Sequence, residues 1–270
     1  MNDAHALRTV ITGLLAFAAA EEEMLLTSSA ALEAGDGDAG GPHRWSAVPL
    51  LAHITEFKSQ QSERVRALLS ARTPPEFGDI DHASPDVYAA YAARSSQDVT
   101  TDARWTTASL LDGTRALSNE DLLDPSRHPW LRGRMLWLQI IVRGFWHPTG
   151  HIADYYLRHG QTDRAVALQA HAVATAAYLG APDPAAGMAY YGLACAQAVA
   201  GLADLAAVTL TTAVELNPDL RANADRDPDL ALLVPLASGP PMRAVFPRRS
   251  SLRSSLLSPD DTAALRLAGR

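Results

Sequence analysis

Two histidines four residues apart, His147 and His151, stand in the apolar stretch Arg143-Gly144-Phe145-Trp146-His147-Pro148-Thr149-Gly150-His151-Ile152-Ala153-Asp154-Tyr155-Tyr156. On a helix this spacing stacks two imidazoles on one face. Neutral imidazoles so placed bind a transition-metal ion. A third candidate, His53, lies far upstream in Leu50-Leu51-Ala52-His53-Ile54-Thr55-Glu56-Phe57. Three histidines around one ion leave a coordination position open for water or a thiolate, and the ion acts as a Lewis acid there. Spacing alone leaves the plain reading open as well, three core or surface histidines with no ion. Glu56 and Asp154 fall one turn beyond candidate ligands, either as carboxylates that orient the imidazoles or as ordinary exposed acids. No Ser-His-Asp order, Gly-rich phosphate loop or dinucleotide fingerprint offers a competing chemistry.

Composition narrows the function classes. The chain has 270 residues and a net charge of −7, which argues against a nucleic-acid surface. Its one cysteine, Cys195, excludes an intrachain disulfide and fits a reducing, cytoplasmic compartment. Nearly all the basic residues are arginines, with Lys58 the single lysine, the bias of a GC-rich genome. The run Val10–Ala20 has the apolarity of a secretory core. However, Asp3 precedes it and the pattern continues past Glu21, Glu22 and Glu23, so it reads as a first helix. No apolar run is long enough for a membrane span.

The elements that must position the histidines are helices. Over residues 4–34, Leu7, Val10, Leu14, Phe17, Glu21 and Met24 keep the 3-4 spacing of a bundle seam. Glu21 interrupts that seam; it either faces solvent as the face drifts, which is the expectation, or is a polar group aimed inward. Residues 35–42 form a Gly/Asp loop. A second helix opens at Trp45-Ser46, with Ser46 as its cap, and runs to about residue 71. Leu50, His53 and Phe57 share one of its faces, so His53 points to the core. A third helix is expected over 86–118, with a break near Thr100. The fourth is expected over 131–159, ended by Gly160. This fourth helix carries two apolar stripes. One is Met135, Leu138, Val142, Phe145, Ile152 and Tyr156; the other is Leu136, Ile140, Gly144, His147 and His151. Pro148 removes an amide donor beside the histidines and should kink the helix.

After residue 161 the chain is Ala-rich. Tyr190, Leu193, Ala194, Gly201, Ala206, Leu210, Ala213 and Pro218 fall at the spacings of one tetratricopeptide repeat. One repeat is too short to stand alone, so it should dock on the preceding helices, and a dimer would cover further surface. From residue 238 on, Pro, Ser and Arg predominate, the composition of a solvated basic tail.

The Trp45-Ser46 opening, the Leu51–Phe57 segment around His53 and the late pair His147 and His151 together resemble the DinB/YfiT-like family. The resemblance covers residues 4–160. It implies an all-α, up-down four-helix bundle over 1–160; the spacings after it predict a helical-hairpin, tetratricopeptide-like segment over 161–237, of which 184–234 resembles an ending found on some members of the family, and the composition predicts a disordered basic tail over 238–270. The resemblance further implies that His53, His147 and His151 hold zinc or nickel. The expected activity is that of a thiol-dependent transferase, isomerase or hydrolase on a small electrophilic substrate, with a thiol such as mycothiol. The alternative is a non-catalytic scaffold that grips a protein or peptide through its repeat-like segment.

Overall fold

In the computed structural model, residues 3–29, 44–77, 85–231 and 233 are described, and no strand occurs among them. The expected loop at 35–42 and the basic tail lie outside these residues. The helices are α1 (Asp3–Ser29), α2 (Ala47–Leu69), α3 (Pro85–Ala92), α4 (Ser96–Ala116), α5 (Asn119–Leu123), α6 (Leu136–Ile141), α7 (His147–Arg158), α8 (Thr162–Leu179), α9 (Asp183–Val199), α10 (Ala203–Leu216) and α11 (Arg221–Ala224). A π turn, Val142–Trp146, joins α6 to α7. No helix among the described residues is long and apolar enough to cross a membrane.

The packing follows the apolar stripes. Helix α1 touches α2, α4, α7 and α8; α2 touches α4 and α7; and α9 packs between α8 and α10. Ile11, Leu14 and Leu15 of α1, Leu110 of α4, Ile140 and Phe145 around the π turn, Ala172 and Ala176 of α8, Met188 of α9 and Leu210 of α10 form one buried cluster. The C-terminal helices therefore share a core with the first four long segments. A second cluster, including Leu25, Trp45, Leu50, Ile54, Ile152, Tyr155 and Tyr156, surrounds the histidine region.

Several boundaries differ from the sequence expectation, each for a local reason. The third helix breaks at residues 93–95, before Thr100. There the Ser95 hydroxyl accepts the amide of Asp98 at 3.0 Å and caps α4. The fourth helix starts at Leu136 because Arg132 and Gly133 adopt φ of 53° and 82° after a short 3₁₀ turn, a conformation no right-handed helix continues. It does end at Gly160. The amide of Gln161 donates to the Tyr156 carbonyl and that of Gly160 to the Leu157 carbonyl, a paired closure that needs the positive φ of the glycine. Ser46 occupies the cap position of α2, but its side chain makes no capping bond.

Glu21 is buried, not solvent-facing. Helix α8 lies over this part of α1, and burial pushes the Glu21 carboxyl up to about 7 while Arg164 pulls it back. Next to it, Glu22 is buried too. Lys58 Nζ lies 2.6 Å from Glu22 Oε2 and donates to Thr107 Oγ1 at 2.9 Å, an ion pair enclosed by α1, α2 and α4.

Candidate metal centre

The start of α2 is tied to the end of α7, since Arg158 Nη2 donates to the Trp45 carbonyl at 3.1 Å. The two helices run antiparallel from that point, so two turns into α2 meets two turns back along α7. His53 is 2% exposed and sits edge-on to Trp45, with ring centroids 5.7 Å apart. On its other flank Phe57, one turn on, lies 4.8 Å from the His53 ring and stacks on His147 at 4.4 Å. His147 and His151 are only half-buried, so the site opens on the α7 side.

The three Nε2 atoms converge. His53 Nε2 is 3.2 Å from both His147 Nε2 and His151 Nε2, and the latter two are 3.1 Å apart. No other group of three His, Cys, Asp or Glu residues among those described brings its ligand atoms within 4.8 Å of one another. Such a triangle fits a first-row divalent ion. An ion about 2.05 Å from each nitrogen would make N–metal–N angles of about 100°, close to the tetrahedral value. Hydrogen bonding alone accounts poorly for the arrangement. Each neutral imidazole carries one N–H, and three Nε2 atoms at mutual contact cannot all be well-aligned donor–acceptor pairs.

Pro148 is accommodated by the π turn. The His147 amide reaches back five residues to the Val142 carbonyl. The Thr149 hydroxyl then donates to the carbonyls of Phe145 at 2.9 Å and Trp146 at 3.1 Å, replacing part of the backbone bonding the proline interrupts. Gly144 lets the turn press inward, because a β-carbon there would stand 3.0 Å from Leu15 Cγ and 3.3 Å from Leu110 Cδ2. Outside the turn, Gln169 Nε2 of α8 donates to the Thr149 carbonyl at 2.9 Å. The two expected stripes merge: Leu136, Ile140 and Gly144 are buried together with Phe145, Ile152 and Tyr156, whereas Met135, Leu138 and Val142 are only half-buried.

Neither carboxylate candidate hydrogen-bonds an imidazole. Glu56 accepts from Gln60 at 3.4 Å, and burial raises its pKa. Asp154 faces the C-terminal elements; burial, with Asp229 and Asp227 nearby, pushes its carboxyl up to about 7 against the pull of Arg158. Beside it, the Tyr191 hydroxyl donates to Asp227 Oδ2 at 2.7 Å. Sequence reasoning gave no role to Phe57 or Arg143, whose Cζ lies 4.5 Å from the Phe57 ring centroid. The signal was available, because each stands four residues from a ligand candidate on the same helical segment.

No protein-family model, curated protein or solved structure matches the chain.

Proposed function

We propose that the chain is a DinB/YfiT-like metalloprotein that holds one zinc or nickel ion on His53, His147 and His151. Its reaction is transfer, isomerisation or hydrolysis at a small electrophile, with a low-molecular-weight thiol such as mycothiol as co-substrate. The supporting observation is the Nε2 triangle, with sides of 3.1–3.2 Å and two of its three rings reachable from solvent. A bound ion supplies Lewis acidity and lowers the pKa of whatever fills its fourth position. The chain's own part is to hold three imidazoles at that spacing, to keep the His147 ring stacked against Phe57, and to leave the α7 side open for a substrate. On this reading α1, α2, α4 and the α6–α7 segment are the up-down bundle, and α8–α10 form the tetratricopeptide-like segment docked on it. The test is elemental analysis of protein purified without a polyhistidine tag, followed by exchange assays with mycothiol, bacillithiol and glutathione. About one equivalent of zinc or nickel, lost in His53→Ala, supports the proposal; failure of the protein to take up either ion on reconstitution overturns it.

One observation favours a partner-binding role beside this chemistry. Val199, Leu202 and Leu205 are exposed together at the α9–α10 hairpin tip. Such a patch suits a protein or peptide partner, or a second copy of the chain. Sedimentation of the protein and of Leu202→Asn/Leu205→Asn separates a homodimer from a monomer.

A further inference from the structure

Two arginines near one end of the triad's helices, Arg143 and Arg64, have no acid partner among the described residues. Phe57 links Arg143 to the candidate metal ligands, and Arg64 lies near Arg143. The Phe57 ring stacks on His147 at 4.4 Å, and Arg143 Cζ lies 4.5 Å from the same ring centroid. Arg64, two turns further along α2, has its Cζ 4.9 Å from the Phe77 ring and 5.3 Å from the Trp130 ring. Both residues are half-buried, and the aromatic faces hold their guanidinium planes in place. Neither arginine makes an ion pair or donates a hydrogen bond to any described residue; Arg143 Nη1 and Arg64 Nε are enclosed without an acceptor. The acids nearest in sequence are engaged elsewhere, Glu56 with Gln60 and Glu63 with Arg66. Acid is not scarce in a chain with 30 acidic and 23 basic residues, so its absence here among the described residues is local. Burial and the neighbouring Arg64 lower the pKa of Arg143, as expected of cations held close together and partly out of water. Guanidinium groups in this condition are stabilised by an anion, and their planar fork matches a carboxylate.

We propose that Arg143 and Arg64 form an oxoanion subsite, so that the site selects small substrates carrying a carboxylate a few bonds from the reacting atom. The proposal rests on the metal reading only for the position of that reacting atom. A phosphate ester shares the oxoanion chemistry, and the test separates the two.

The experiment is calorimetric titration of the full chain, with and without one equivalent of zinc. The probes are 3-mercaptopropionate, its neutral amide and inorganic phosphate. The acid carries a thiolate for the metal position and a carboxylate for the arginines. Wild-type protein should bind the acid about tenfold or more tightly than the amide, the scale of one charge-assisted hydrogen bond. Arg143→Gln and Arg64→Gln should each shrink that preference to about threefold or less, and Arg143→Lys should keep part of it, since it retains the charge without the fork. Equal binding of acid and amide by the wild type overturns the subsite, whether or not zinc is present and whether or not the variants fold. Phosphate binding as tightly as the acid overturns the carboxylate assignment. If zinc fails to bind but the metal-free protein still prefers the acid, the metal reading falls and the subsite stands.

Discussion

If the triad holds an ion as proposed, acid should release it with a steepness set by the number of imidazoles that ligate. The three Nε2 atoms lie within 3.2 Å of one another, so an ion in bonding range of one is in range of all three. Each imidazole must lose its proton before it can ligate. Metal affinity is therefore fully expressed above the ordinary imidazole range near pH 6.5 and is lost as pH falls through it. Three coupled sites give a limiting slope approaching ~3 decades of affinity per pH unit, or about 4 kcal/mol, since each decade is worth about 1.4 kcal/mol. That equals the stabilisation an ion provides at about a thousand times its Kd, about 4.1 kcal/mol. One pH unit should thus remove most of the metal-dependent rise in Tm. The assay is competition with a chromophoric chelator between about pH 5 and pH 7, paired with melting curves with and without zinc. His53→Ala should bind far more weakly, with a limiting slope near ~2, while the exposed His171→Ala should behave as wild type. A wild-type slope near ~1, or a slope unchanged in His53→Ala, would refute a three-imidazole centre.

Further outcomes follow from the buried charges. Asp154 titrates at about 7 in the fold against an ordinary 3.8, so the folded chain holds a proton that the unfolded chain releases between those values. Its contribution is present below about pH 4 and lost as pH rises through about 7; Asp154→Asn should therefore gain stability at pH 8, up to a ceiling of about 4 kcal/mol in urea titrations, and match wild type at pH 4. For the enclosed pair, Lys58→Met should cost about 3–5 kcal/mol by leaving the buried Glu22 carboxyl without its partner, whereas Lys58→Met/Glu22→Leu should recover most of it; a double variant no better than the single would place the cost in packing. Gly144→Ala should cost about 1–3 kcal/mol and weaken zinc binding, because Leu15 and Leu110 must retreat from the turn before His147. Unchanged metal affinity in a destabilised Gly144→Ala would detach the packing of the turn from the site.

The convergence of the three histidines was legible because it depends on short-range periodicity. Leu50, His53 and Phe57 share a face of α2, and His147 and His151 share one of α7. The helical character of each long segment was legible for the same reason. What the pattern hid was set by partners distant in sequence. Glu21 is buried because α8 covers it, and nothing near residue 21 announces α8. Lys58 is buried because Glu22 and Thr107 meet it from two other helices. Asp154 lies three residues past His151, yet its electrostatic neighbours are Asp229, Arg158 and Asp227, residues that mostly reach it through the C-terminal fold. Local spacing names which side chains share a face; it does not name what that face will meet.

The π turn shows why Pro148 serves the site instead of spoiling it. Buried pairs recur every four residues along the segment: Leu136 with Trp137, Ile140 with Ile141, Gly144 with Phe145, Pro148 with Thr149, Ile152 with Ala153. In an unbroken 3.6-residue helix a four-residue stripe turns by ~40° at each step and would wind off the core. The wider turn at Val142–Trp146 takes up part of that rotation, and it can do so because residue 148 has no amide to demand the tighter bond. Arg143, His147 and His151 each stand immediately before a buried pair, so they follow one edge of the stripe. Opposite them, His53, Phe57 and Arg64 follow one face of α2, three, four and seven residues being the steps that return to a helical face. The antiparallel pairing of these two rows sets imidazoles against imidazoles at one end and guanidinium groups against aromatic rings at the other. The proposed metal and anion positions thereby depend on the same phase shift, and a change that restored a regular helix there should misalign both together.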